Sequence, residues 1–333
     1  MTSPARLFFL FSTTLGILIT TSSSSWLSCW MGLELNLLSF IPLMSSSHNL
    51  YKSEAALKYF LIQALGSAII LFWAPALLVL SSESSQVVLL LAILLKLGAA
   101  PFHLWLPSVM QGLHWPQCII LMTLQKIAPL TMVSYLNPSN ALTIGIFLSS
   151  SLSALVGGLG GMNQTFTRKL LAYSSINHVG WMMTAISFSE WAVMYYFVVY
   201  AAITYTVVSI LNSQQIFHLS NTLPITLPPS TQLLLFISLF SLGGLPPFLG
   251  FFPKMFVIFN LSNQYHMLWA SIMIMSSLLT LLFYVRIAIP AITLSSSKIK
   301  FNLRSKNELS LSLVTTSINF IPILGPLISF PPF

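Results

Sequence analysis

The residues best suited to chemistry in this chain are three lysines and one glutamate that lie inside long apolar segments. Lys96 lies in the stretch 87–106, which is long enough to cross a bilayer. Lys126 and Lys254 lie in two further apolar segments, and Glu34 is the acid at comparable depth. An ionisable side chain at the bilayer centre costs about 2.5–3.5 kcal/mol on insertion scales, so it usually has a partner or a function. The pattern predicts a path for ions or protons through a membrane.

Two of these lysines accompany helix-breaking sequences. Gly98 begins Gly-Ala-Ala-Pro two residues after Lys96, and Lys254 ends the segment Ser241-Leu-Gly-Gly-Leu-Pro-Pro-Phe-Leu-Gly-Phe-Phe-Pro-Lys. A broken helix at membrane depth is tolerated only where protein or a water-filled cavity surrounds it. Paired broken helices also form the transport sites of many transporters. We therefore expect both breaks to border the path.

The depth of the ionisable groups predicts a lateral relay. Glu34, Lys96 and Lys126 fall near the middles of their predicted helices, so a row of them in the membrane plane would couple their proton affinities. A structural Glu–Lys pair that locks helix packing is the alternative, but it would account for only one of the three lysines. His103 and His178 are weaker relay candidates, because a hydrogen-bonded packing histidine explains each of them equally well.

The composition also indicates a membrane protein. Of the 333 residues, 56% are hydrophobic and 5% are charged, whereas a soluble domain carries about 25% charged residues. The formal net charge of +8 does not indicate nucleic-acid binding, because the basic residues are scattered. Cys29 and Cys118 lie in apolar segments without metal-ligand spacing, and no cofactor motif is present, so we expect no metal or cofactor on this chain. No signal or transit peptide is expected at the N-terminus.

Apolar segments of about 20 residues predict an all-α polytopic membrane protein with eleven transmembrane helices. They lie near 6–22, 26–45, 56–80, 86–106, 115–136, 141–161, 170–187, 191–218, 231–260, 266–290 and 308–329. The Gly/Pro breaks fall in helices 4 and 9, whose matching positions predict two inverted five-helix repeats. The chain would then be one transmembrane domain over 1–333, with repeats at about 1–136 and 141–290 and an extra C-terminal helix at about 308–329.

The distribution of basic residues predicts how the chain crosses the membrane. With the N-terminus inside, ten of the thirteen Lys and Arg residues fall on the inner side. They are Arg6, Lys52, Lys58, Arg168, Lys169, Arg286, Lys298, Lys300, Arg304 and Lys306. The outer loops carry Glu83 and Glu190 and no Lys or Arg. The positive-inside rule therefore predicts an inner N-terminus and, after eleven crossings, an outer C-terminus.

Six segments match a known family in sequence and in order. They are Trp30-Met-Gly-Leu-Glu-Leu-Asn, Lys58-Tyr-Phe-Leu-Ile-Gln-Ala, Lys96-Leu-Gly-Ala-Ala-Pro-Phe-His-Leu-Trp-Leu-Pro, Gln125-Lys-Ile-Ala-Pro, Ser174-Ser-Ile-Asn-His-Val-Gly-Trp and Gly243-Gly-Leu-Pro-Pro-Phe-Leu-Gly-Phe-Phe-Pro-Lys. With them the chain resembles the chain 2 family of mitochondrial NADH–ubiquinone oxidoreductase, respiratory complex I. Residues after about 290 resemble the family only in character.

The resemblance implies a proton-translocating, antiporter-like subunit of the membrane arm. NADH, FMN, iron–sulphur clusters and ubiquinone would be handled by other subunits, with no redox chemistry on this chain. In the family, the acid at Glu34 pairs with the lysine at Lys96, the lysine at Lys126 is central, and the lysine at Lys254 leads towards the exit. Ser108 stands where many relatives have an acid, so we assign no proton-entry role there.

The resemblance also implies the mitochondrial inner membrane, with the N-terminus in the matrix. Expected partners are the other membrane-arm subunits, with chains 4 and 4L as neighbours, and membrane lipids. A stand-alone secondary cation/proton antiporter is the alternative, since it would share the broken helices and the lysines. Such antiporters normally need intramembrane carboxylates to hold a cation, and this chain has one embedded glutamate and no aspartate. A purely structural scaffold would instead tolerate replacement of the buried lysines.

We predict that the basic loop 298–306 lies on the matrix side, because positive loops are retained on that side. A cysteine introduced at Ser297 should react with a membrane-impermeant maleimide in inside-out vesicles and stay unlabelled in mitoplasts. A cysteine at Ser189, in an outer loop, should give the opposite result. Labelling of the 298–306 loop from the intermembrane space would contradict the topology.

Overall fold

The computed structural model describes residues 4–45, 49–80, 83–136, 139–222 and 229–293. These residues form a bundle of α-helices, and within them the only β-type pairing is the isolated bridge between Phe166 and His218. The all-helical prediction is therefore confirmed for this part of the chain. The predicted eleventh helix, 308–329, and the basic loop 298–306 lie outside the described residues.

The first ten predicted helices each overlap one or two helices of the structure. The helices are α1 (Pro4–Ser22), α2 (Trp26–Met44), α3 (Leu50–Leu80), α4 (Glu83–Leu97), α5 (Trp105–Gly112), α6 (Trp115–Met122), α7 (Leu124–Ser134), α8 (Asn140–Met162), α9 (Thr167–Ile186), α10 (Glu190–Ser213), α11 (Pro229–Gly243), α12 (Phe251–Asn263) and α13 (Met267–Thr293). A short 3-10 turn at Leu219–Thr222 follows α10. The count of eleven crossings and the division into two repeats stay predictions.

Seven helical segments of the described chain are long and apolar enough to cross a membrane. They are α1, α2, α3, α8, α10, α13 and the nearly continuous pair α6–α7. This length and composition define a multi-pass membrane protein. Helix α9 is not among these seven, yet it is buried along nearly its whole length. Its polar residues are tolerated because protein, and not lipid, surrounds them.

Small residues let α8 and α9 approach closely. A Cβ atom on Gly157 would lie 2.6 Å from the backbone nitrogen of Asn177 and 2.8 Å from the carbonyl oxygen of Tyr173. The side chain of Asn177 also donates to the carbonyl of Ala154 at 3.0 Å. Close backbone contact and interhelical hydrogen bonds are the main forces that join helices in a membrane. This contact fixes α9 in the middle of the bundle.

The first interruption of a helix lies between α4, which ends at Leu97, and α5, which begins at Trp105. Gly98 has a φ of +69°, a conformation that glycine adopts without steric cost. The end of α4 leaves carbonyl groups without helical partners. The last turn uses backbone bonds of its own, such as Gly98 N to Leu95 O at 3.3 Å, and the indole of Trp105 also donates to Leu95 O at 3.1 Å. A side chain from the following helix therefore adds a hydrogen bond at the end of α4.

The second interruption, between α11 and α12, has the same construction. Helix α11 ends at Gly243, and Gly244 follows with a φ of +77°. Here the ammonium group of Lys254, on α12, donates to Gly243 O at 2.8 Å. A backbone carbonyl freed by the break is thus satisfied by a buried lysine.

A third discontinuity, which the sequence did not predict, separates α6 from α7 at Thr123. Its backbone angles are φ −113° and ψ −81°, outside the helical region. The Thr123 hydroxyl donates to the carbonyl of Ile119, four residues earlier, at 2.7 Å. Hydroxyl bonds of this kind bend membrane helices. The bend sits three residues before Lys126.

We predict that Gly157→Ala loosens the contact between α8 and α9, because the added methyl meets backbone atoms that cannot move aside. Overpacking of this kind costs about 1–3 kcal/mol. Gly145→Ala is the matched control on α8, since its Cβ would meet only the flexible end of Leu90 at 2.9 Å. Hydrogen–deuterium exchange of α8 and α9 peptides, followed with temperature, measures the opening. Equal exchange curves for both variants would contradict the prediction.

Candidate functional site

The three embedded lysines are all buried in the structure. The exposed fractions of Lys96, Lys126 and Lys254 are 6%, 2% and 5%. Each lies within a few residues of one of the three helix discontinuities. Among the described residues, no carboxylate oxygen lies within 4.0 Å of any of these amines, since the ion pair found there joins Lys58 to Glu54. Within this part of the chain, none of the three lysines therefore forms a direct ion pair.

Lys96 lies between α3 and α2. Its side-chain stem packs against α3, where a Cβ on Gly66 would lie 3.0 Å from Lys96 Cγ. The amide of Gln63 donates to the carbonyl of Lys96 at 3.2 Å. Glu34 on α2 is close enough to act electrostatically on Lys96, but the two side chains form no direct ion pair. Glu34 Oε2 is buried without a hydrogen-bond partner in the described residues. A buried carboxylate oxygen in this position is suited to accept a proton or a hydrogen bond.

A polar bridge joins α2, α3 and α7 beside these groups. The Gln125 amide donates to Asn36 Oδ1 at 2.9 Å, and the Tyr59 hydroxyl donates to Gln125 Oε1 at 3.2 Å. Asn36 follows Glu34 by two residues, and Gln125 precedes Lys126. The bridge therefore runs from the surroundings of the glutamate to the lysine of α7.

Lys126 contacts the central helix. Its ammonium group donates to the carbonyl of Ser175 on α9 at 3.1 Å. It also lies 5.3 Å from the ring centroid of Tyr200 on α10, within the range of a cation–π interaction. Neither partner carries a negative charge. A lysine amine has three donors, and this arrangement uses one in a conventional hydrogen bond.

His178 lies next to Lys126, against the same tyrosine. The centroids of the His178 and Tyr200 rings are 4.9 Å apart. His178 Nδ1 lies 2.9 Å from the Tyr196 hydroxyl, a hydrogen bond whose donor depends on the tautomer. Lys126 and Lys254 both act electrostatically on the His178 ring. The histidine of α9 therefore belongs to the same buried cluster as these two lysines.

Lys254 completes the cluster at the second helix break. Besides its bond to Gly243 O, its ammonium lies 5.7 Å from the ring centroid of Trp181 on α9. Trp181 Nε1 is buried without a hydrogen-bond partner in the described residues. The lysine therefore caps the end of α11 and lies over the ring of Trp181.

His103 does not join this cluster in the way that His178 does. It is half-buried, and its Nδ1 lies 3.2 Å from Pro101 O within its own loop. The hydroxyl of Ser108 donates to the carbonyl of Trp105 on its own helix at 2.8 Å. Ser108 also lines a separate cavity at one end of the bundle.

Several polar residues near the buried lysines were not identified from the sequence. Gln125 and Asn36 stand inside motifs already recognised, next to Lys126 and two residues after Glu34. Tyr196 and Tyr200 are four residues apart, which places both on one face of α10. That spacing could have indicated a shared aromatic surface on α10. Aromatic residues are too frequent in this chain for such a spacing to be specific.

Together the helical bundle and its buried lysines define an antiporter-like membrane protein. The family model described as "NADH:quinone oxidoreductase/Mrp antiporter, TM" matches residues 23–85 and 80–280. The chain belongs to the NADH-ubiquinone oxidoreductase chain 2 family. The resemblance inferred from the six sequence segments is thereby confirmed.

Relatives with that name extend over almost the whole chain. The one from Anopheles gambiae is 44% identical over 326 residues, which cover 95% of this chain and 94% of the relative. The one from Aedes aegypti is 43% identical, covering 94% of this chain and 93% of the relative. The one from Coturnix japonica is 38% identical, covering 99% of both chains.

Solved structures share the fold. A chain of respiratory complex I from Thermus thermophilus with bound aureothin superposes with a TM-score of 0.85 at 23% identity, covering 98% of this chain and 80% of that one. A chain of the Mrp complex from Dietzia sp. superposes with a TM-score of 0.77 at 18% identity, covering 89% of this chain and 62% of that one. At these identities the likeness establishes the fold.

We predict that Gln125→Leu weakens the contact between α2 and α7, because it leaves Asn36 Oδ1 and the Tyr59 hydroxyl without their partner. An unsatisfied buried polar group costs about 1–3 kcal/mol. Tyr59→Phe removes one of the two bonds and should have a smaller effect. Hydrogen–deuterium exchange of α2 and α7 peptides in the assembled complex measures the change. Unaltered exchange in Gln125→Leu would show that the bridge does not hold these helices together.

Proposed function

We propose that this membrane-arm subunit moves protons through Glu34, Lys96, Lys126 and Lys254, coupled to NADH:ubiquinone oxidoreduction in other subunits. The observation that carries the proposal is the burial of three lysines, none of which has a carboxylate oxygen within 4.0 Å of its amine among the described residues. An uncompensated buried cation is costly, so a purely structural role gives no reason to keep three of them. A relay gives that reason, because each site must hold a proton for part of a cycle.

Neutral partners suit a lysine that changes its protonation state. The Ser175 carbonyl accepts a hydrogen bond from Lys126 whether its amine is charged or neutral. The Gly243 carbonyl can do the same for Lys254. A carboxylate partner would instead be left as an unpaired buried charge when the lysine released its proton. The contacts of both lysines therefore support proton transfer over a fixed charge.

The polar contacts suggest an order for the relay. Glu34 and Lys96 form its first part, and the bridge through Gln125 leads to Lys126. Lys126 shares the Tyr200 ring with His178, which is within electrostatic range of Lys254. Proton binding at one of these groups changes the proton affinity of its neighbours.

His178 and His103 were both candidates for the proton relay, and their surroundings distinguish them. His178 is buried in the cluster, and its two ring nitrogens can take up a proton on one side and release one on the other. His103 is half-buried and bonds within its own loop, so we propose no relay step at that residue.

The two interrupted helices support the prediction of an inverted repeat. Each interruption has a glycine with positive φ, Gly98 or Gly244, and an embedded lysine close to it. We propose that α4–α5 and α11–α12 are equivalent helices of five-helix repeats at about 1–136 and 141–290, within a single domain. Broken helices at matching positions of two repeats form the transport site in several transporter folds.

Membership of this family supports a location in a larger assembly. We propose that the chain lies in the mitochondrial inner membrane with its N-terminus in the matrix and with chains 4 and 4L as neighbours. NADH, FMN, iron–sulphur clusters and ubiquinone would then be bound by other subunits. Large exposed apolar side chains on α1, among them Leu7, Phe8 and Phe11, support contact with lipids or neighbouring subunits.

A stand-alone cation/proton antiporter is the second candidate, because the family model also includes Mrp antiporters. Among the described residues, Glu34 is the acid that acts electrostatically on one of the buried lysines, Lys96. A cation site needs several oxygen ligands, usually with carboxylates among them, and a cluster rich in lysine repels cations. The surroundings therefore favour protons.

The test is Lys126→Arg compared with Lys126→Ala in the assembled complex. Arginine keeps the positive charge but does not release its proton at accessible pH. We expect both variants to lose proton pumping at least about tenfold, the effect of about 1.4 kcal/mol on a barrier. Lys169→Arg, on the surface end of α9, is the control and should pump normally. Near-normal pumping by Lys126→Arg, with Lys126→Ala inactive, would show that Lys126 supplies a fixed charge.

A further inference from the structure

A cavity of about 510 Å³ opens at one end of the bundle, where α3, α6 and α9 begin and α5 ends. Its lining includes Lys52 and Lys58 from α3, His114 from the loop before α6, and Arg168 from α9. Glu54 is the acidic residue in the lining. None of these side chains belongs to the proposed proton relay.

The charges that line the cavity do not balance. Glu54 is already committed to Lys58, with an Nζ–Oε1 distance of 2.6 Å. Arg168 donates to the carbonyl of Leu113 and lies 4.8 Å from the ring centroid of Phe217, both neutral groups. Lys52 is only 9% exposed, yet no carboxylate in the described part of the chain lies within 4.0 Å of its amine. Two cations of the cavity therefore lack a counter-charge.

The pKa of His114 is affected by the same excess of positive charge. Burial lowers the pKa of His114, and the nearby cations Lys52, Arg168 and Arg6 lower it further. At neutral pH the imidazole therefore stays neutral and can donate or accept a hydrogen bond. Lys52 of α3, Arg168 of α9 and Arg6 of α1 therefore all act electrostatically on His114, beside the cavity.

We propose that this cavity binds a phosphoryl group, and that the headgroup of an anionic phospholipid supplies it. Phosphate oxygens accept charge-assisted hydrogen bonds from Lys52 and a further bond from the side-chain amide of Asn49 in the lining. Leu50 and Tyr51, in the first turn of α3, are 87% and 81% exposed and offer apolar surface for acyl chains next to the cations. Basic cavities between helices at a membrane surface recognise lipid headgroups in this way. The proposal is independent of the proton relay.

The lipid arm of the test uses the assembled complex in nanodiscs of phosphatidylcholine that contain photoactivatable phosphatidylglycerol. We expect the label on peptides covering 49–58 and 108–114. Lys52→Gln should reduce this labelling about tenfold, which corresponds to about 1.4 kcal/mol of affinity. Lys52→Arg keeps the positive charge and should retain the label. This variant still tests the proposal if Lys52→Gln fails to fold. Lys169→Gln removes a cation from the same end of α9 outside the cavity lining, and should label like the unmodified chain.

The phosphate arm identifies the source of the phosphoryl group. In nanodiscs of phosphatidylcholine alone, inorganic phosphate is compared with chloride at equal ionic strength for protection of Lys52 against acetylation. Protection of Lys52 by phosphate, without lipid labelling, would support a phosphoryl-binding site whose ligand is free phosphate. Equal labelling of Lys52→Gln and the unmodified chain, or an equal loss in Lys169→Gln, would overturn the proposal. So would the absence of both lipid labelling and phosphate protection, as expected if another protein subunit fills the cavity.

Discussion

The structure depends on one constraint, the cost of holding lysine ammonium groups inside a bundle that lies in a bilayer. An amine at that depth needs hydrogen-bond acceptors, and regular helices offer few because each carbonyl already accepts one helical bond and has only its second lone pair to offer. The described chain meets this need with interrupted helices and close neighbours. Lys254 donates to a carbonyl freed at the end of α11, and Lys126 donates to Ser175 O on α9. The discontinuities are therefore part of how the charges are accommodated.

Helix α9 connects the parts of this arrangement. It carries Ser175, His178 and Trp181, which contact or neighbour the lysines of α7 and α12. A helix with this many polar residues is stable in a membrane only when protein covers it on all sides. The close packing of α8 against α9 at Gly157 supplies part of that cover. The same central position that stabilises α9 brings its polar side chains to the buried amines.

The sequence by itself determined the helical class, the membrane location and the approximate positions of the helices in the described part of the chain. These are local properties, because a bilayer selects segments by apolar length and penalises unpaired backbone within each segment. It also identified the three lysines as unusual, since their depth can be read from the surrounding residues. The break at Thr123 was not predicted because a threonine, unlike glycine or proline, does not by itself end a helix.

Only the tertiary structure decided which side chains meet. Glu34 and Lys96 are neighbours without an ion pair, while Gln125 joins Asn36 to Tyr59 across three helices. His178 lies within electrostatic range of Lys126 and Lys254, whereas the His103 ring contacts a carbonyl of its own loop. Hydropathy and spacing give a helix and its depth, but not its rotation about its axis against its neighbours. That rotation is set by packing of residues far apart in the chain, and it determines the contacts on which the site depends.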